Sequence, residues 1–174
     1  MCSHNLNTLN TNPLNEGTPS WTTDPDLEAA LGITNTLNAT SIEFDFISTS
    51  STVQFNYILA SEEYFGNFPC QYSDGFALLI KEANTSDPYE NIALIPELSD
   101  PSGLTFTDLP VTINNVNPGT IGSSGGTIAN CSPPIGSLDY SSYYNNNAGS
   151  TTCTYDGILD VFTAQVIVTP CQEY

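Results

Sequence analysis

The stretch SIEFDFIS (residues 41–48) is followed, after a short Ser/Thr turn, by TVQFNYILA (residues 52–60). In the first stretch Ile42, Phe44 and Phe46 alternate with other residues, and in the second every second residue from Val53 onward is again apolar or aromatic. Successive side chains of a β-strand point to opposite faces, so this alternation predicts two half-buried strands.

Four further apolar runs predict strands at residues 75–83, 89–97, 109–116 and 158–170. Turn-forming clusters such as NTSDP, NPG, SSGG and NNNAG separate them. Regular β-runs of this kind favour an all-β fold, an antiparallel β-sandwich or jelly roll with long loops. The longest loop is the Gly/Ser/Asn/Tyr-rich segment 117–153, which we name the excursion.

One helix is expected, in TTDPDLEAALG near the N-terminus. Thr23 or Asp24 can cap it, Pro25 suits its first position, and Gly32 can end it. We therefore predict an extended leader or linker at residues 1–23 and a single β-sandwich domain at residues 24–174, a length sufficient for a hydrophobic core.

The charge of the chain excludes several functions. Among 174 residues there are 19 acids but one Lys or Arg and one His, which gives a formal net charge of −18. Nucleic acid would be repelled, and no apolar run reaches the ~20 residues of a membrane span. We expect neither nucleic-acid binding nor membrane insertion. His4 is the only histidine, and Lys81 is the only Lys or Arg. Because such residues usually activate nucleophiles and stabilise developing negative charge, we also expect no catalysis.

Five cysteines occur without a C-x-x-C pair: Cys2, Cys70, Cys131, Cys153 and Cys171. This pattern favours disulfides in an oxidising compartment over structural zinc. We predict a Cys131–Cys153 bond that ties the end of the excursion to its interior, and Cys70–Cys171 as the next pair.

The stretch ASEEYFGNFPCQYSDGFALLI (residues 60–80) gathers acids around a loop. Ca²⁺ takes about six to eight oxygen ligands and needs no basic residue nearby, so Glu62, Glu63 and Asp74 are candidate ligands. Neighbouring strand side chains point to opposite faces, so we expect Glu63 and Asp74 to contribute, with Glu62 as the third candidate. The alternative is a solvated acid cluster that caps a turn.

Aromatic residues in two loops are candidates for ligand binding. Flat rings beside Asn and Ser are typical of carbohydrate or protein recognition, although such rings also cover small loop cores. The candidates are Tyr64, Phe65, Phe68, Tyr140, Tyr143 and Tyr144. A carbohydrate-binding module is therefore one alternative function, and a secreted glycoside hydrolase domain built on a pair of acids is another.

Several segments together resemble one protein family. SIEFDFISTSSTVQFNYILASEEY, DGFALLI, NIALIP, VTINNVNPG, YDG and VTPCQEY resemble, in this order, the choice-of-anchor L domain, over roughly residues 20 to 174. The most specific part is ASEEY followed by the Asp74-x-Phe strand.

The resemblance implies an exported, adhesin-like module of a bacterial surface protein. Proteins with this domain are often substrates of type IX secretion, including those associated with gliding motility. The family domain continues into further strands after the segment that matches VTPCQEY, so the resemblance implies either a fragment of a longer protein or final strands that come from elsewhere. Expected partners are a surface glycan or protein ligand and other segments of the parent polypeptide.

Overall fold

A computed structural model describes residues 22–64, 68–150 and 155–174. One α-helix and nine short strands lie in this part of the chain. They are α1 (Pro25–Leu31), β1 (Thr52–Tyr57), β2 (Ala60–Ser61), β3 (Leu79–Ile80), β4 (Glu90–Asn91), β5 (Leu94–Pro96), β6 (Phe106–Pro110), β7 (Tyr144–Asn146), β8 (Gly157–Leu159) and β9 (Phe162–Ile167).

The predicted N-terminal helix is confirmed. A carboxylate oxygen of Asp24 accepts hydrogen bonds from the backbone N–H groups of Asp26 and Leu27, at 3.0 and 2.9 Å. Pro25 occupies the first turn, where no backbone N–H is required. Gly32 ends the helix in the left-handed region, at φ 66°. Of the two candidate caps, Asp24 is the one used.

The strands form small antiparallel sheets. β1 pairs with β9, β2 with β8 and β8 with β7, β3 with β4, and β5 with β6. β8 is the central strand of the three-stranded sheet, and its residue Gly157 lies opposite both Ser61 of β2 and Asn146 of β7. The all-β class with one short N-terminal helix is therefore confirmed, whereas the sandwich or jelly-roll arrangement stays a prediction.

Several predicted strands are shorter than expected. The run 158–170 divides into β8 and β9, and the run 109–116 leaves the strand conformation after Pro110. Residues 41–48 contribute an isolated bridge, Ile47 with Glu173, beside which Phe46 and Tyr174 exchange two backbone hydrogen bonds of 3.0 and 2.9 Å. Strand length depends on pairing partners, which periodicity does not supply.

The chain divides into two compact units. In the described part, the first unit contains Ile58–Gly75 and Val111–Phe162, and the second contains residues 22–57, Phe76–Pro110 and Thr163–Tyr174. The prediction of one domain over residues 24–174 stays a prediction.

The second unit has an apolar core. Ile80, Ile92, Ala164 and Val168 form a buried cluster. Partly buried aromatic and aliphatic side chains pack against it, namely Phe46, Val53, Phe55, Tyr57, Leu78, Val166 and Tyr174. Alternate residues of β1 and β9 supply much of this cluster, as the period of two in their sequences predicts.

The first unit has a mixed interior. Val111, Ile113 and Val116 are fully buried, and so are the side chains of Asn115 and Asn117. The Asn117 amide donates to the backbone carbonyl of Ser137 at 2.9 Å. Residues just after β6 are therefore buried in turns that amide side chains help to hold.

Candidate functional site

The ASEEY segment changes conformation within five residues. Ala60 and Ser61 form β2, and Glu62–Tyr64 then turn into a 3-10 helix. Ser61 is 4 % exposed, and its hydroxyl donates to Asp74 Oδ2 at 2.6 Å and accepts from the backbone N–H of Glu63 at 3.0 Å. One buried serine thus fixes Asp74 against the start of the 3-10 helix.

The two adjacent glutamates, Glu62 and Glu63, interact with different acids because the backbone turns between β2 and the 3-10 helix. Burial and the charge of Asp74 raise the pKa of Glu63 to about 7, while a hydrogen bond from the Asp74 backbone opposes the rise. Burial and the charge of Glu62 raise the pKa of Asp156. Glu63 therefore interacts with Asp74, and Glu62 with Asp156.

Tyr64 lies near the acid pair formed by Glu63 and Asp74. Its side chain is 1 % exposed, and its hydroxyl has no hydrogen-bond partner among the described residues. Burial, the Tyr144 hydroxyl and the charge of Asp74 all raise the pKa of Tyr64 far above its ordinary value. The phenol is therefore neutral, and it lies close enough to Asp74 for the carboxylate charge to affect its pKa.

Gly157 permits the close packing of this site. The Tyr64 and Tyr144 rings lie with centroids 5.1 Å apart. A Cβ atom at position 157 would lie 2.5 Å from Tyr144 Cε2 and 2.6 Å from Tyr64 Cβ, closer than real Cβ contacts. Only glycine fits there, which explains the Gly of the YDG segment.

Asp156 is a site residue that the sequence did not identify. Its backbone N–H donates to the Ser61 carbonyl at 3.1 Å, and its carbonyl accepts from Asn147 N–H at 2.8 Å. The YDG segment was a signal for it, but nothing in the sequence indicates that β8 pairs with β2 beside Glu62.

The remaining aromatic candidates form separate pairs. Tyr140 and Tyr143 are parallel within 5°, with centroids 6.5 Å apart, and Tyr143 meets Phe162 edge-on. Phe68 lies against Tyr72, with centroids 5.7 Å apart. Phe65 lies outside the described residues. The structure therefore joins Tyr64 and Tyr144 to the acids and places Tyr140 and Tyr143 in a stacked pair that also contacts Phe162.

The comparison with protein families decides the affiliation of the chain. The family model of the choice-of-anchor L domain matches residues 1–174. The chain belongs to this family. No curated protein and no solved structure matches it.

The disulfide of this choice-of-anchor L domain differs from both predicted pairings. Cys70 is bonded to Cys131, with Cα atoms 5.4 Å apart, and Cys171 is a free, exposed thiol. The predicted Cys131–Cys153 and Cys70–Cys171 bonds are therefore wrong, and Cys153 itself lies outside the described residues. A disulfide at Cys70 and at Cys131 is confirmed.

Cys131 pairs with Cys70 because the excursion folds back onto the backbone at Pro69 and Cys70. Gly122 N–H donates to the Pro69 carbonyl at 2.8 Å, and Thr127 N–H donates to the Cys70 carbonyl at 3.0 Å. The Asn130 side chain donates to the same Cys70 carbonyl at 2.9 Å. These contacts bring Cys131 to Cys70, which lies 61 residues earlier in the sequence.

In residues 22–64, 68–150 and 155–174, no group of three or more His, Cys, Asp or Glu side chains could hold a metal ion. Glu62, Glu63 and Asp74 therefore do not converge as a three-acid set, and calcium binding stays a prediction.

Within the same ranges no helix is long and apolar enough to cross a membrane.

Proposed function

We propose that the chain is a non-catalytic, extracellular module of a bacterial cell-surface protein that serves adhesion or surface display. The observation that carries this proposal is membership of the choice-of-anchor L family over the whole chain. The Cys70–Cys131 disulfide supports it, because disulfides persist in oxidising compartments such as the cell exterior. Secretion by the type IX route and a role like that of gliding-motility adhesins belong to the same proposal.

The composition supports a role in contact rather than in chemistry. Charged residues make up 11 % of the chain, and only one is basic. The polar surface therefore consists largely of amides and hydroxyls, which hydrogen-bond without the strong electrostatic steering that basic patches give. The absence of catalysis is part of the proposal.

A carbohydrate ligand is the second candidate, because the Tyr140–Tyr143 pair suits it. Both rings are half-buried and parallel, and flat aromatic faces stack on sugar rings. Backbone N–H of Asp160 donates to the Tyr143 carbonyl at 2.9 Å, and the Asp160 carboxylate accepts from the Asn145 amide at 2.7 Å. Polar groups able to bind sugar hydroxyls thus lie on residues next to the backbone of Tyr143.

The test is retention on immobilised polysaccharides from bacterial and plant surfaces. The wild-type chain is compared with Tyr140→Ala/Tyr143→Ala and with the control Tyr72→Ala, which removes a half-exposed ring of the Phe68 pair. We expect retention on at least one polysaccharide and a loss of roughly five- to hundredfold for the double variant, since stacking contributes about 0.5–1.5 kcal/mol per ring.

Three outcomes separate the candidate functions. Retention lost only in the double variant supports carbohydrate recognition through this pair. Absence of retention on every polysaccharide removes the carbohydrate candidate and leaves a protein ligand, which binding to intact cells and to protease-treated cells then tests. Release of soluble fragments from any polysaccharide would overturn the non-catalytic proposal in favour of a glycoside hydrolase.

A further inference from the structure

We propose that Glu63 and Asp74, together with the buried hydroxyl of Tyr64, form a Ca²⁺-binding site of about millimolar affinity in the first unit. The site does not depend on the proposed function, because its test measures ion binding rather than adhesion.

The first support is a set of buried oxygen atoms that lack partners. Glu63 Oε2 and the Tyr64 hydroxyl are both buried without a hydrogen-bond partner among the described residues. A buried polar group without a hydrogen-bond partner is unfavourable, and more so when it is charged, so these atoms require a ligand or water. Thr112 Oγ1 is a third such atom, on the residue that bridges to Gly75, next to Asp74.

The second support is the arrangement of the carboxylates. Ser61 holds Asp74 through one oxygen, Oδ2, and the Asp74 backbone hydrogen-bonds to the Glu63 carboxyl. Each acid is thus held in place by neutral donors. Fixed, partly buried carboxylates that repel each other are stabilised by a cation between them.

The third support is the shortage of internal cations. The chain has one Lys or Arg, Lys81, whose ammonium lies 4.3 Å from the centre of the Tyr89 ring in the second unit. A salt bridge to a basic side chain cannot neutralise all the acid pairs of a chain with 19 acids. Apart from His4, which lies outside the described residues, an external cation is the remaining source of positive charge.

The donor atoms favour Ca²⁺ over other metals. Every candidate ligand is oxygen, which suits Ca²⁺ and Mg²⁺, and Mg²⁺ requires near-ideal octahedral geometry and dehydrates reluctantly. Ca²⁺ accepts irregular sets that water and backbone carbonyls complete. Because only two acids meet here, we expect affinity in the range of about 10⁻⁴–10⁻³ M that extracellular calcium modules show.

Luminescence of Tb³⁺ tests the site directly, because Tb³⁺ binds at calcium sites and emits when a nearby tyrosine is excited. Tyr64 and Tyr144, which pack on each other, would serve as the sensitisers. We expect emission that Ca²⁺ displaces and that Mg²⁺ at equal ionic strength displaces far less. Glu63→Gln/Asp74→Asn should abolish it.

The matched control is Glu43→Gln/Asp45→Asn, which removes the same two charges from exposed positions of the second unit. It should retain emission and its displacement by Ca²⁺. Circular dichroism establishes that each variant folds, and the single variant Glu63→Gln serves if the double variant does not.

Thermal unfolding gives an independent readout. At a Ca²⁺ concentration of about ten times Kd, the folding equilibrium constant should rise about elevenfold for the wild type and the control, and remain unchanged for the Glu63/Asp74 variant. Equal responses to Ca²⁺ and Mg²⁺, equal loss in the control, or no emission would show that the acids are only a solvated cluster and would overturn the proposal.

Discussion

The second unit buries Ile80, Ile92, Ala164 and Val168 in an apolar cluster, whereas the first unit carries the disulfide and buries many polar side chains. Five polar residues of the described part are buried, and all of them belong to the first unit: Ser61, Thr112, Asn115, Asn117 and Ser137. One chain therefore stabilises its two units by different means. Apolar area suffices where strands pair regularly, and cross-links with hydrogen-bonded side chains are required where turns fill the interior.

The candidate site follows from the same difference. Glu63, Asp74 and Tyr64 lie in the first unit, where polar groups are already buried and held by specific hydrogen bonds. A buried acid in the apolar cluster of the second unit would have no such partners and would cost far more. The polar interior is therefore the part of the fold in which an ion site can be built.

Loss of the disulfide should destabilise the protein most. Replacing both cysteines, Cys70→Ser/Cys131→Ser, opens a loop of 61 residues. The chain-entropy relation gives a loss on the order of 4 kcal/mol, which denaturant unfolding measures. Hydrogen exchange should show protection lost first in the first unit.

The control for this change is Cys171→Ser, at a free, exposed thiol. It should alter the free energy of unfolding by less than about 0.5 kcal/mol. Equal loss of protection in both units of the double variant would contradict the view that the disulfide serves mainly the first.

A core truncation should act on the second unit. Ile92 is 5 % exposed within the apolar cluster, so Ile92→Ala should cost about 2–5 kcal/mol, through lost burial and the cavity left behind. Ile167→Ala, at a position 82 % exposed, is the matched control and should cost well under about 1 kcal/mol. If both substitutions cost the same in denaturant unfolding, the cluster is not the source of stability we assign to it.

Gly157→Ala should damage the candidate site with a smaller effect on stability. The added Cβ collides with the Tyr64 and Tyr144 rings, and overpacking of this kind costs about 1–3 kcal/mol. We also expect weaker Ca²⁺ displacement of Tb³⁺. Gly103→Ala is the comparison, because its Cβ meets no atom within 4 Å although its φ of +67° is strained for alanine. Loss of the ion response in both variants would point to general destabilisation.

Local features were predictable from the sequence. Asp24, Pro25 and Gly32 mark the helix through interactions within a few residues, and the structure uses all three. Alternation also predicted β1, because Val53 and Phe55 do face the apolar cluster.

Non-local pairing was not predictable. Segment 41–48 alternates as clearly as β1, yet Ile42 is 90 % exposed and Phe44 64 %, because alternation cannot say whether a partner covers a face. The prediction of the disulfide pairing was wrong for the same reason. The Cys70–Cys131 bond depends on backbone hydrogen bonds between loops that lie far apart in the sequence. The sequence identified the acids of the site as candidates. It did not predict the pairing of Glu63 with Asp74, which depends on the buried hydroxyl of Ser61.

The stability of the first unit should also depend weakly on pH when it is measured with chelator present. The pKa of Glu63 is raised from 4.5 to about 7, so folding favours its protonated form. This contribution to stability is complete at low pH and is lost as the pH rises through about 7. Glu63→Gln, which is neutral at every pH, should therefore become more stable relative to the wild type between about pH 5 and about pH 8.5. Because Glu63 is partly exposed, the gain should be on the order of 1 kcal/mol rather than the full value of the shift. Glu43→Gln, at an exposed position, should show no such trend, and parallel pH profiles for the wild type and Glu63→Gln would mean that the Glu63 carboxylate is solvated.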